Sequence, residues 1–246
     1  HEILTRDGWK FRNDLKVNDE VMVFDHITHE NRWERVEAIN EFDFEGELLS
    51  LQRPGGREIL FTENHKWPVV DGHSGQRRML EARELNSNHW LPLHGQYTAS
   101  HESALSPRLA ALLGWVVTDG TSRWIGNHWE AGIYQSSKKF LTEVEALTGA
   151  AGRPDSRPGV DCSYVPLSLE DRREIIKVYS SKDDLPALVT RLSRDAADAM
   201  FDAMLKAEGS NLDGNPIFRQ MSGPVAEAFQ ILSVIVGRTA WSCTNA

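Results

Sequence analysis

The stretch that decides the fold reads Leu109-Ala-Ala-Leu-Leu-Gly-Trp-Val-Val-Thr-Asp119-Gly120. It is apolar until it ends on an acid and a glycine, which predicts a buried helix that terminates at Asp119. Glycine adopts the left-handed conformation after a helix without penalty, so we expect Gly120 in that conformation. A carboxylate in the last turn lies at the negative end of the helix dipole, and a divalent cation would compensate it.

The same pattern recurs in Phe201-Asp-Ala-Met-Leu-Lys-Ala-Glu208-Gly209. A small residue stands five positions before the acid in both copies, Gly114 in the first and Ala203 in the second. Helices can approach closely along small residues, so a packed pair would bring Asp119 and Glu208 together. Two neighbouring carboxylates repel each other and resist ionisation unless a cation lies between them. Two ordinary core helices with glycine caps are the alternative interpretation.

The paired helices resemble the two LAGLIDADG motifs of a single-chain homing endonuclease of the DOD type, with Leu112–Gly120 as the first motif. The resemblance implies that Asp119 and Glu208 are catalytic and bind Mg²⁺ or another divalent cation. Lys182 precedes the pair Leu185-Pro186 and resembles the family's lysine before such a pair, which would make it a third catalytic residue. The implied activity of a monomer is a double-strand cut at a specific DNA site.

Composition limits the classes of function. The 246 residues carry a net charge of −9, so DNA binding would require a local basic surface. Only two cysteines occur, Cys162 and Cys243, without a CxxC pair, which argues against a zinc site or a disulfide framework. No apolar run is long enough to span a bilayer. We expect a cytoplasmic, nucleoid-associated protein whose partner is double-stranded DNA and not a membrane.

The first hundred residues contain short apolar runs between turn signals, which is typical of an all-β module. Their order resembles the Hint module of inteins. Leu15-Lys-Val-Asn-Asp-Glu-Val21 is similar to that family's L-x-V-G-D-x-V segment, and Phe61-Thr62-Glu-Asn-His65 is similar to its T-x-x-H block. The resemblance implies that His65 protonates a leaving amide nitrogen and that Thr62 steadies the developing charge.

The ends of the chain do not match an active intein. Inteins begin with Cys or Ser and finish on His-Asn, whereas this chain begins with His1 and finishes Cys243-Thr-Asn-Ala246. We therefore expect no splicing from the chain as given. A degenerate intein remnant or a fragment of a self-splicing intein is the alternative, and extein sequences of a host protein would then be partners.

After residue 104 the order helix, strands, helix occurs twice, as in the αββαββα-type pseudo-two-fold repeat of the LAGLIDADG family. We predict a multi-domain chain: an all-β Hint-like module with a connecting segment over residues 1–98, then an α+β LAGLIDADG domain over 104–246. Local predictions are N-caps at Ser106 and Ser193, a strand over Glu174–Tyr179, a helical run over Arg78–Leu85 and a final strand over Thr239–Cys243.

Strands of the repeats form the predicted DNA interface, because a two-stranded ribbon fits the major groove and its side chains alternate. The predicted contacts are Arg123, His128, Gln135, Lys138, Lys139, Lys177, Arg219, Gln220 and Arg238. Each of these could instead be an ordinary solvated residue. A DNA-binding protein that no longer cuts is the alternative function.

Overall fold

The computed structural model describes residues 2–52, 58–98, 102–212 and 215–240. Within these ranges the fold is a mixed α/β arrangement of several small sheets and six α-helices. The chain divides into a larger unit, His1–Asp14 with Tyr97–Ala246, and a smaller unit, Leu15–Gln96. The first residues of the predicted β module thus group with the later part of the chain. No described helix is long and apolar enough to cross a membrane.

The elements follow one another along the chain with short connections. The helices are α1 (Pro107–Asp119), α2 (Leu141–Thr148), α3 (Leu169–Ile175), α4 (Leu185–Val189), α5 (Arg194–Glu208) and α6 (Pro224–Ile235). The strands are β1 (Glu2–Thr5), β2 (Gly8–Phe11), β3 (Glu20–Asp25), β4 (Glu30–Arg35), β5 (Leu49–Gln52), β6 (Glu58–Phe61), β7 (Lys66–Asp71), β8 (Arg77–Glu81), β9 (His89–Trp90), β10 (Gln96–Tyr97), β11 (Gly120–Ile125), β12 (His128–Gln135), β13 (Arg153–Pro154), β14 (Ser163–Pro166), β15 (Gly209–Leu212) and β16 (Asn215–Phe218).

Antiparallel strands make up the smaller unit. β3 pairs with β4, β5 pairs with β6, and β7 lies between β8 and β9. The predicted helical run over Arg78–Leu85 is wrong, because its first half is β8, in which Arg78 stands opposite Val69 of β7. Ladder pairing there overrides helix propensity, and only a 3₁₀ turn over Ala82–Glu84 follows.

An arrangement of one helix followed by a pair of strands occurs twice in the larger unit. α1 passes at the next residue into the antiparallel pair β11–β12, and α5 passes in the same way into β15–β16. The first pair belongs to a four-stranded sheet in the order β11-β12-β14-β13, and the second is a two-stranded hairpin. Asp119 at the end of α1 and Glu208 at the end of α5 therefore each stand directly before a strand.

The predicted strand over Glu174–Tyr179 is also wrong, because α3 covers its start. Ser168 caps that helix by accepting a hydrogen bond from the backbone of Asp171. Ile175 and Tyr179 are buried four residues apart, which is the spacing of one helical face. Of the predicted strand Thr239–Cys243, residues 239 and 240 are in no strand and the rest lie outside the described residues.

Close packing of α1 against α5 forms the centre of the larger unit. Both helices bury large side chains completely, including Leu113 and Trp115 of α1 and Met204 of α5. The predicted small-residue contact is confirmed, since a Cβ built on Gly114 would lie 3.1 Å from the Cβ of Ala203. The two backbones thus approach each other where both sequences carry a small residue.

Both motif helices begin as predicted. The Ser106 hydroxyl accepts a hydrogen bond from the backbone N–H of Leu109. The Ser193 hydroxyl accepts one from the backbone N–H of Ala196. Each cap satisfies one of the N–H groups that a helix start leaves unpaired.

The helix ends differ from the prediction. Gly120 and Gly209 both have extended backbones, with φ of −113° and −81°, so the expected left-handed conformation is wrong. A lack of room for a side chain explains why both positions are glycine. A Cβ on Gly120 would lie 2.6 Å from the carbonyl oxygen of Val116, and a Cβ on Gly209 would clash with the carbonyl of Leu205. Only glycine lets the chain turn from helix to strand within one residue.

A bidentate ion pair ties α1 to α3. Arg108 donates from Nη1 and Nη2 to the two carboxylate oxygens of Asp171 at 2.7 and 2.9 Å, and the Ser168 hydroxyl donates to Oδ2 at 2.8 Å. The Asp171 side chain is only 6% exposed. The hydrogen bonds from Arg108 hold the pKa of Asp171 below its ordinary value, and they outweigh the opposing effect of burial.

We predict that Gly114→Ala destabilises the protein. Helix propensity alone would make this change stabilising by about 1 kcal/mol. The added Cβ would instead lie 2.9 Å from the backbone oxygen of Met200, so we expect a net loss of about 1–3 kcal/mol of unfolding free energy. Urea denaturation measures the change. A gain in stability would show that the helices do not approach at this residue.

We predict that Asp171→Asn lowers the unfolding free energy by about 1–3 kcal/mol at neutral pH. Because the folded-state pKa of Asp171 is lowered, its stabilisation is complete above the ordinary carboxyl pKa and is lost as the pH falls through the folded-state value. The gap between variant and wild type should therefore shrink in acid. The exposed Asp202→Asn on α5 is the control, and a gap independent of pH would contradict the assignment.

Candidate functional site

The two predicted acids converge at one end of the packed helix pair. Asp119 is the last residue of α1, and Glu208 is the last residue of α5. Gly114 and Ala203, each five residues earlier, are in contact, so the helices are in matching register. The negative charge of Glu208 reaches Asp119 and contributes to raising its pKa, which agrees with this register.

Asp119 is half-buried and its ionisation is disfavoured. Burial is the largest cause that raises the pKa of Asp119, and the negative charge of Glu208 raises it further. A hydrogen bond from Gln135 and the positive charge of Lys139 oppose the rise without cancelling it. The site therefore holds more negative charge than its protein surroundings neutralise.

Gln135 belongs to this site and not to a DNA-facing surface. Trp129, Ala131 and Ile133 are buried along β12, and Gln135 continues the same face with 3% exposure. Its Nε2 donates to Oδ2 of Asp119 at 3.0 Å, and its Oε1 accepts from the backbone N–H of Ser136 at 3.0 Å. The predicted base contact by Gln135 is wrong, because both ends of the buried amide are already engaged. The alternation of inward and outward side chains along a strand is the sequence signal that could have placed Gln135 on the buried face.

Gln220 is the counterpart of Gln135 in the second repeat. Gly120 stands opposite Ile133, and Gln135 lies two residues after Ile133. In the same way Gly209 stands opposite Phe218, and Gln220 lies two residues after Phe218. The Oε1 of Gln220 accepts from the next backbone N–H at 3.1 Å, as that of Gln135 does. Gln220 itself is exposed. The hairpins differ in length, which hides this equivalence in the sequence.

Lys139 is close enough to Asp119 for its charge to be felt there. It also lines a cavity of ≈ 380 Å³ together with Ala207 and Gly209, which flank Glu208 in the chain. The sequence predicts only DNA contact for Lys139, whereas in the structure its charge also acts on Asp119.

Lys182 is placed elsewhere, in an exposed 3₁₀ turn over Lys182–Asp184. Just before this turn, the carbonyl of Ser180 accepts a hydrogen bond from Nε1 of Trp124 at 3.3 Å. Trp124 is five residues along β11 from Asp119, a separation of roughly 16 Å at the usual rise of a strand. The structure shows no contact between Lys182 and the acids among the described residues, so it adds no support to the predicted catalytic role.

The remaining predicted DNA contacts have mixed surroundings. Arg123 is exposed on β11 and forms an ion pair with Glu130 at 3.3 Å. Lys138 and Arg219 are exposed at the ends of β12 and β16, on the same side as the acids. Lys177 is not in a strand.

Lys177 and Arg238 also have protein partners, and both lie outside the strands. Lys177 follows α3 and pairs with Glu174 at 2.6 Å. Arg238 follows α6, and its guanidinium lies 5.4 Å from the centre of the Phe201 ring. Neither is on a strand that could enter a DNA groove, which corrects the sequence assignment of both.

The sequence did not predict a tyrosine pair on the outer face of the sheet, in which Tyr134 is exposed and Tyr164 is partly buried. Tyr134 of β12 and Tyr164 of β14 stand opposite each other, with ring centres 5.2 Å apart. A Cβ on the adjacent Gly132 would clash with the Tyr164 ring, so glycine makes room for it. Alternation along β12 turns Tyr134 and Glu130 outward, opposite to Gln135.

Thr62 and His65 lie in the smaller unit. The Thr62 hydroxyl donates to Oδ1 of Asn64 at 2.7 Å, and the backbone N–H of His65 donates to the Thr62 carbonyl at 3.1 Å. The His65 ring packs edge-on to Trp67, with centres 5.3 Å apart. The block is therefore an ordered turn that presents an exposed imidazole.

The donor set of the acid pair suits a hard cation. In the described part of the chain, no group of three or more His, Cys, Asp and Glu side chains could hold a metal ion. Mg²⁺ is usually held by one or two carboxylates together with substrate phosphates, so Asp119 and Glu208 could serve without a third protein ligand. A cation there would also relieve the repulsion that raises the pKa of Asp119.

Comparisons with known proteins give only partial matches. No family model matches the chain. Over 104 residues it is 31% identical to the ribonucleoside-diphosphate reductase subunit beta of Aquifex aeolicus, covering 41% of this chain and 15% of that protein. Over 69 residues it is 29% identical to the ATP-dependent Clp protease proteolytic subunit of Chlamydomonas moewusii, covering 28% of this chain and 7% of that protein. The chain thus matches a small part of each relative.

We predict that two variants shift the pKa of Asp119 in opposite directions. Gln135→Leu should raise it further, because the hydrogen bond that favours the carboxylate is lost. Glu208→Gln should lower it, because a neighbouring negative charge is removed. Carboxyl ¹³C NMR titration without divalent cations measures both shifts. The exposed Glu170→Gln should leave the titration unchanged, and a flat response to both site variants would refute the described geometry.

Proposed function

We propose that the larger unit is a site-specific DNA endonuclease of the LAGLIDADG type, which makes a double-strand cut in DNA with Mg²⁺. The observation that carries this proposal is that Asp119 and Glu208 end two closely packed helices in matching register, with the charge of Glu208 acting on Asp119. Each helix passes directly into a strand pair. Two acids and two ribbons in one chain fit a monomer that treats the two DNA strands in a pseudo-symmetric way.

Each residue of the site has a distinct task in this proposal. A bound Mg²⁺ would supply Lewis-acid activation of the scissile phosphate and of the attacking water. Asp119 and Glu208 would hold the metal. Gln135 holds Oδ2 of Asp119 in position, and Gln220 would act on the second side once DNA covers it. Lys139 would offset negative charge that develops on the phosphate.

DNA would lie on the outer face of the strands that follow the acids. Arg123, Tyr134 and Tyr164 are on or beside that face, and Lys138 and Arg219 are at its acid end. Because the net charge of the protein is −9, its affinity for DNA would depend on the few cations at this face. DNA affinity should therefore fall markedly as the salt concentration rises. The slope of log affinity against log salt concentration should still be smaller than for a strongly basic protein.

We assign the smaller unit as a Hint-like module that carries the endonuclease, with Thr62 and His65 as its splicing-block residues. Its short antiparallel pairs and the ordered turn at Thr62 to His65 support this assignment. The comparisons are compatible with a portable element, since each covers a small part of a protein with a different named activity. Host sequences on either side would then be partners of the module.

A DNA-binding protein that no longer cuts is the second candidate. The second motif, Phe201 to Glu208, departs most from the family pattern, and the exposed Gln220 does not contact Glu208 as Gln135 contacts Asp119. These observations favour a weakened second half. DNA binding without cleavage would support this candidate.

We predict that the protein linearises members of a supercoiled plasmid library with randomised inserts when Mg²⁺ is present. Asp119→Asn and Glu208→Gln should each reduce the linear product by at least about tenfold, because each removes one of two metal-holding carboxylates. Lys182→Ala should leave cleavage intact. Gel analysis and sequencing of linear product ends measure the result.

The same samples separate the candidate functions. Filter binding of the library shows whether DNA is retained. Retention by wild type without any linear product supports the non-cleaving protein, and cleavage that survives in Asp119→Asn overturns the assigned site. Loss of both binding and cleavage in the folded wild-type protein overturns the proposed function.

A further inference from the structure

Residues 41–48 carry a strand pattern that the fold does not use. They read Glu41-Phe-Asp-Phe-Glu-Gly-Glu-Leu48, so every second residue is acidic and the residues between are apolar or glycine. A period of two is the signature of a β-strand with two different faces. The described residues 36–48 nevertheless form neither strand nor helix between β4 and β5. This segment, residues 41–48, is called the acidic strand segment below.

The apolar side of the acidic strand segment is uncovered. Phe42 is 85% exposed, Phe44 is 54% exposed, and Leu48 is 49% exposed. The Phe44 ring lies over Gly46, because a Cβ there would be 3.0 Å from the ring. Residues 44 and 46 thus share one side, as they do in an extended chain. Two exposed phenylalanines this close in the chain favour contact with a partner.

The acidic side lacks counter-charges. None of the carboxylates of Glu41, Asp43, Glu45 and Glu47 forms an ion pair within the described ranges. Alternate residues of an extended chain are about 7 Å apart on one side, so these like charges repel one another. Straightening the segment into a strand would therefore be favoured by a neighbour that brings cations to the same side.

We propose that the acidic strand segment is a docking site for an extended peptide strand that alternates Lys or Arg with apolar residues. The peptide would add by backbone hydrogen bonds, place its cations beside the four carboxylates, and cover Phe42 and Phe44. Charge complementarity selects this occupant. A second copy of the chain paired through the same segment would set acids against acids, which is destabilising. Nucleic acid is repelled by the same four charges.

The test uses the full chain and a synthetic peptide of alternating lysine and valine, matched in length to the segment. A block peptide of the same composition and an aspartate–valine peptide are the controls. We expect fluorescence anisotropy to show binding of the alternating peptide at least about tenfold tighter than of either control. Hydrogen–deuterium exchange should show new amide protection in residues 41–48. Equal binding of the block peptide, or protection elsewhere, would overturn the proposal.

Variants separate the two sides of the segment. Phe42→Ser with Phe44→Ser should weaken binding about tenfold or more, whereas Ile27→Ser, at a 70% exposed site outside the segment, should not. Asp43→Lys with Glu45→Lys leaves two acids and two lysines in the segment, so the preference for the alternating lysine–valine peptide should be abolished. Circular dichroism checks that each variant is folded. Self-association of the wild type that the phenylalanine variant abolishes would assign a second copy as the occupant and overturn the proposal.

Discussion

The close approach of α1 and α5 at Gly114 and Ala203 is the constraint on which the larger unit depends. Gly114 has no side chain and faces the backbone oxygen of Met200 and the small side chain of Ala203, so close packing at this point determines the register of the helices. Because both acids stand five residues further on, that register determines where the carboxylates meet. The same approach explains the glycines after the acids, since each chain must leave the helix pair within one residue to begin a strand.

This geometry has an energetic cost that a structural role does not explain. Both acids occupy the last position of a helix, where the dipole disfavours a negative charge. Asp119 is half-buried beside a like charge, and its raised pKa means that stability is lost as the pH rises from the ordinary carboxyl pKa through the folded-state value. At neutral pH the unliganded protein therefore bears the full cost. Sites that sacrifice stability in this way are commonly functional.

The sequence predicted the elements that depend on local signals. The capped starts at Ser106 and Ser193 and the contact of Gly114 with Ala203 follow from residue type and spacing alone. The predictions failed where contacts with distant parts of the chain determine the secondary structure. The run that starts at Arg78 has helix-forming residues, but its first half pairs with β7. Glu174–Tyr179 has strand-forming residues, but its first two residues belong to a capped helix. A β-branched or aromatic run does not reveal which partner is available.

Within the candidate site, the acids could be predicted from the sequence but their neighbours could not. Gln135 and Lys139 reach Asp119 only through the register of β12 on β11, which no short motif encodes. The register also shows how the two repeats have diverged. Gln135 is buried on its carboxylate, while Gln220 is exposed at the matching position. Because Gln135 supports Asp119 and the exposed Gln220 gives Glu208 no such hydrogen bond, the two acids are not equivalent. In the proposed nuclease the two DNA strands would therefore be cut at different rates.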